Sequence, residues 1–91
     1  MANDLTGRVW ILDTAAVITT DKVYIESMVW KPVAAANDLT ILDNMGATIW
    51  DVDAIAAAPA GNELYDQSGV QEHHGFNLSV IDAGTLYVTV K

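Results

Sequence analysis

The strongest constraint in this chain is a period-two pattern near its C-terminus. Phe76, Leu78 and Val80 alternate with Asn77 and Ser79, and Leu86, Val88 and Val90 alternate with Thr85, Tyr87 and Thr89. Successive side chains of an extended strand point to opposite faces, so each run has one apolar and one wetter face; a helix would need a period of 3.6. Between the runs lies Asp82-Ala83-Gly84. Asp bonds readily to backbone two residues on, and Gly supplies a positive φ, so the break reads as a turn and the whole as a terminal β-hairpin.

A second hairpin is predicted upstream, where Asp38 to Leu42 and Ala47 to Val52 flank Asp43-Asn44-Met45-Gly46. Asp43 can close that turn with its side chain, and Gly46 can take the positive φ of a type I turn with a bulge. Arg8 to Leu12 is a short apolar strand, and Ala16 to Thr19 is another before Thr20-Asp21. Lys22 to Lys31 is rich in β-branched and aromatic residues. Its alternation slips around Ser27-Met28, by a bulge or because the strand is buried on both faces.

Asp53 to Gly75 is the least regular stretch. Ala54 to Ala58 would make a helical turn in isolation, stopped by Pro59-Ala60-Gly61-Asn62. Short strands near Glu63 to Tyr65 and Val70 to Glu72 flank a turn at Gln67-Ser68-Gly69. The expectation is an all-β fold, a small antiparallel β-sandwich or partly open barrel of about seven to eight short strands. It forms a single domain over residues 1–91, with 1–7 as a flexible N-terminal arm.

A chain of 91 residues has room for one core, and small cores often need disulfides, metals or partner subunits. There is no cysteine and there are only two histidines, so oligomerisation is the support left. A composition 52% hydrophobic and 18% charged agrees with some surface meeting another protein. The net charge of −8 repels phosphate backbones, so no direct nucleic-acid partner is expected. No apolar run is long enough for a membrane span, and the first residues lack the basic and apolar regions of a signal peptide.

Candidate sites are few. Glu72-His73-His74 offers metal-ligand chemistry, but neighbouring residues of a strand point apart, and two imidazoles lack a marked third ligand. A surface histidine pair in a loop at Gly75 is the simpler reading. Asp51 and Asp53, at i and i+2, share a strand face as glycosidase acids do, yet that reaction needs a cleft between the carboxyls. Calcium held by Asp43, Asp51 and Asp53 lacks the usual loop. No serine or cysteine nucleophile setting, phosphate-cradling loop or basic stripe is present, so neither an enzyme nor a cofactor is expected. Trp10, Trp30 and Trp50 with Tyr24, Tyr65 and Tyr87 belong to the core, to a subunit interface or to a sugar-stacking platform. Trp50, Tyr87, Trp30 and Tyr65 are the interface candidates.

The order of these features resembles a diverse group of small β-rich virion proteins of tailed bacteriophages, associated with the head or its decoration. The likeness rests on Val23-Tyr24-Ile25 to Trp30, on Leu42-Asp43 through Gly46 to Ile49-Trp50, on Gly61-Asn62-Glu63, and on Gly75-Phe76-Asn77-Leu78 through Asp82-Ala83-Gly84 to Val88. These are turn and strand signatures, and no catalytic or ligand residues come with them. The resemblance implies a non-enzymatic capsid decoration or cement protein, made in the bacterial host cytoplasm and resident in the virion. Its partners would be copies of itself and the major capsid protein or another virion protein. A tail or fibre component, or a carbohydrate-binding module, is the alternative.

Overall fold

Six strands account for most of the chain: β1 (Val9–Leu12), β2 (Ala16–Lys31), β3 (Asp38–Leu42), β4 (Thr48–Asp53), β5 (Glu63–Ile81) and β6 (Thr85–Val90). The computed structural model describes residues 3–54 and 63–91, and among these there is no helix. Every pairing is antiparallel, in the order β1-β6-β2-β5-β3-β4, so the sheet ends at β1 and β4 and does not close into a barrel. The predicted Ala54 to Ala58 turn and its Pro59 to Asn62 stop lie outside the described residues beyond Ala54.

The pieces that read as several short strands are two long ones. β2 runs through Thr20-Asp21, and β5 runs through Gln67-Ser68-Gly69, because both flanks of each break pair with the same neighbour. The ladder absorbs the irregularity as bulges. Between Ile25↔Gln71 and Ser27↔Asp66, five steps along β5 oppose two along β2; between Thr19↔Phe76 and Lys22↔His74, β2 carries the extra residue. The slip at Ser27-Met28 is thus a bulge.

These bulges divide the β2–β5 ribbon between two half-sheets. The later half of β2 lies between β6 and the start of β5, with β1 beyond β6. The early half of β2 pairs with the end of β5, which carries β3 and then β4. The inner faces of both halves form one apolar cluster, in which Leu12, Met28, Trp30, Leu39, Ile41, Phe76, Leu78, Leu86 and Val88 have no exposed surface. Rings tie the halves together: Trp10 of β1 meets Phe76 of β5 edge-on at 5.8 Å, and Trp50 of β4 meets Tyr65 of β5 at 5.5 Å.

The hairpin at Asp43 forms as its residues dictate. Asp43 Oδ1 accepts from the Met45 and Ala47 amides at 2.8 and 2.9 Å, and Gly46 has φ +86°. β4 begins at Thr48 and contributes one bulged residue before Trp50 pairs with Ile41.

The predicted terminal hairpin does not form. β5 and β6 are both strands, but β2 lies between them in the sheet. Asp82-Ala83-Gly84 is a corner by which the chain leaves the end of β5, beside β3, and crosses to the far side of β2. The Asp38 amide donates to Asp82 Oδ2 at 2.9 Å, the Asp82 amide to the Asp38 carbonyl at 3.0 Å, and Trp30 Nε1 to the Ala83 carbonyl at 3.1 Å. Gly84 has φ +87°, and a Cβ there would lie 2.1 Å from the Lys31 carbonyl oxygen. Local turn chemistry is the same for a corner as for a hairpin, which is why the two look alike in sequence.

From Asn3 onward the N-terminal segment is bonded to the chain around β1. Asn3 Oδ1 accepts from the Asp13 and Thr14 amides at 2.9 and 3.0 Å, and Asp4 exchanges backbone bonds of 2.8 and 2.9 Å with Ile11. This bridge covers part of the open edge of β1.

Candidate interaction surface

Three of the four aromatic interface candidates face inward. Trp30 is fully buried, and its indole N–H is spent on Ala83; it belongs to the core and offers nothing to a partner. Tyr65 is 9% exposed, and burial pushes its phenol pKa up. Trp50 sits opposite the buried Ile41, half-buried against Tyr65. Trp10 also turns inward onto Phe76; like Trp50 it is partly buried against the core, and with Tyr24 it lines a groove on the surface.

Tyr87 is the exception. It lies between the buried Leu86 and Val88 and so points outward, with the Lys31 ammonium 5.1 Å from its ring centroid. Its register partners are Ile11 on β1 and Val29 on β2, and Val29 pairs onward with Leu64 on β5. Residues directly opposed across a ladder share a face. Ile11, Tyr87, Val29 and Leu64 therefore make an apolar row across four adjacent strands on the solvent side, with Leu64 62% exposed. Val9, 44% exposed, extends it in the next outward row beside Thr89 and Ser27. Lys31 stands at one end of this face; at the other, Arg8 Nη2 donates to Glu26 Oε2 at 3.1 Å. The row was hidden in the sequence because its members come from four separate strands.

The histidines lie in β5, not in a loop. His73 pairs with the buried Val23 and His74 with the exposed Lys22, so the two rings lie on opposite faces. His73 is half-buried, and its Nε2 has no hydrogen-bond partner; burial lowers its pKa, partly countered by the charge of Asp43. His74 Nε2 lies 3.5 Å from Glu72 on the outer side. Gly75, with φ +103°, then shifts the alternation so that Phe76 and Leu78 point inward. It also receives the β3–β4 turn: the Asn44 amide donates to the His74 carbonyl at 2.7 Å, and a Cβ on Gly75 would lie 2.8 Å from that of Asn44.

Asp51 and Asp53 do share the exposed face of β4, opposite Thr40 and Asp38. Thr40 Oγ1 donates to Asp51 at 3.2 Å. Burial raises the pKa of Asp38, and so do a shared hydrogen bond with Asp53 and the charges of Asp53, Asp51 and Asp82. Two grooves, of about 300 and 480 Å³, flank Tyr24 and Lys91, and none of these aspartates lines either one. Among the described residues no three His, Cys, Asp or Glu side chains are grouped to hold a metal ion. No protein-family model, curated protein or solved structure matches the chain.

Proposed function

We propose that this chain is a non-enzymatic structural protein of a tailed-bacteriophage virion, a decoration or cement protein that binds the head shell and its own copies. The observation that carries the self-associating part is the uncovered row Ile11–Tyr87–Val29–Leu64. An apolar stripe that spans four strands on the solvent side of the core supports that reading, because such stripes mark contacts with another protein. Beneath it, the core cluster of the described residues is apolar. The virion assignment is carried by the sequence resemblance, with which a small, acidic, cysteine-free domain agrees.

Mixing the purified protein with assembled heads and tails of its phage, then pelleting the particles, tests this reading. Saturable retention on heads is the expected result. Retention on tails alone would move the protein to the tail, and its absence from both particles at micromolar concentration would overturn the virion reading.

A further inference from the structure

The charges at the two ends of the outer face give it a direction. Lys31 and Glu26 both belong to β2, one on each side of Val29, and Arg8 holds Glu26 at the end where Val9 lies. Between them, the described outward residues of β6 and β2 are Thr85, Tyr87, Thr89, Ser27 and Val29, which carry no charge. For a chain of net charge −8, this is a stretch of surface where a second copy can approach without carboxylate facing carboxylate.

We infer that two copies of this chain pack face to face through the outer side of the β1–β6–β2–β5 half-sheet, about a two-fold axis that crosses the strands at Val29. The inference rests on the reading of the chain as a self-associating protein and names the surface it uses. A two-fold axis makes the contact isologous, so each residue meets the partner of the residue it is met by. With the axis across the strands, the apolar row stacks on its own copy, and Lys31 of each copy comes over the Glu26 end of the other. The alternative, in which like ends superpose, puts Lys31 on Lys31 and Glu26 on Glu26. The charge pattern selects the first.

The size of the face sets the strength. Four strands about 4.8 Å apart and three outward rows about 6.7 Å apart span roughly 400 Å². A stable complex buries about 800 Å² on each partner. A single pair is therefore weak, and the contact becomes effective where many copies are held in an array, as effective concentration replaces affinity.

Sedimentation equilibrium of the full chain from about 10 μM to 1 mM tests this, with Leu64→Lys, Lys31→Glu, Glu26→Lys and the Lys31→Glu/Glu26→Lys double variant. Each affected side chain is at the surface, so far-UV circular dichroism should be unchanged. The wild-type mass should rise toward dimer. Leu64→Lys and each single charge variant should weaken association about tenfold or more, and the double swap should restore it to within about threefold. A wild-type chain that stays monomeric at 1 mM, association indifferent to Leu64→Lys, or a double swap no better than its parts would overturn the inference. Head binding by the monomeric Leu64→Lys chain separates the two levels: if it persists while the wild type fails to dimerise, only the face-to-face contact falls. If no variant binds particles, the virion reading falls.

Discussion

At Gly84 the backbone has no freedom to accept a side chain. Its φ of +87° disfavours any L residue, and the added methyl would collide with the Lys31 carbonyl, which belongs to a strand and cannot yield. Gly46 has nearly the same φ, +86°, but nothing within 4 Å of its Cβ position. Gly46→Ala should thus cost about 1 to 2 kcal/mol from φ alone, and Gly84→Ala about 3 kcal/mol or more. Urea unfolding of the two variants side by side measures the difference. Equal costs would mean that the corner is not packed against β2. The turn glycines were legible in the sequence; which one is hemmed in was not, because the neighbour is 53 residues away.

Two titrations act in opposite directions. The folded pKa of His73 is depressed, so the unfolded chain takes up the proton first. The stability His73 confers is present above its ordinary pKa of about 6.5 and lost as pH falls through the lower folded value. The folded pKa of Asp38 is raised, so its contribution is full below the ordinary 3.8 and lost as pH rises through the higher folded value. His73→Asn should therefore flatten the stability curve just below pH 6.5. Asp38→Asn should raise the melting temperature at neutral pH, with the advantage over wild type shrinking as pH approaches 4. Thermal melts across that range read both effects, and an Asp38→Asn chain less stable than wild type at pH 7 would contradict the second.

At the scale of elements, the Asp43 hairpin was readable because everything that builds it lies within a few residues. The corner at Asp82 carries the same local chemistry and a different partner, and only the sheet order distinguishes them. β2 and β5 look fragmented in sequence for a related reason: turn residues do not end a strand when both flanks stay on the same side of one neighbour, here each other. Of the outer apolar row, one member, Tyr87, was legible among the interface candidates. Trp30 and Trp50 are interface candidates by residue type alone, whereas the alternation places them on the core side with Met28 and Ile41. β4 shows how an open edge is managed. It has no ladder partner beyond β3 among the described residues, and Asp51 and Asp53 put two carboxylates on its exposed face. Charges on an edge discourage pairing with another chain. Asp51→Val/Asp53→Val should remove that block and also the repulsion with Asp38, giving a more stable monomer that aggregates faster. Light scattering during prolonged incubation, set beside a melting curve, detects the two effects separately.

Over the whole molecule, the consequence of two half-sheets on one ribbon is a single folding unit. Trp10 reports from the β1 side through its contact with Phe76, and Trp50 reports from the β4 side through Tyr65. Each of these contacts joins a residue of one half-sheet to a residue of the other, so neither half keeps its ring environment once the other has opened. Single-tryptophan variants retaining Trp10 or Trp50 should therefore unfold at the same denaturant midpoint, coincident with the loss of β circular dichroism. Phe76 is fully buried where the halves meet. Phe76→Ala should cost about 3 to 5 kcal/mol, a large part of the roughly 5 to 15 kcal/mol by which small domains are stable. The loss should lower both midpoints together. If Trp50 kept its transition while that of Trp10 moved, the half-sheets would be separate units. The outer face would then sit on a body able to open by itself, and the two-fold contact would require folding of one half only.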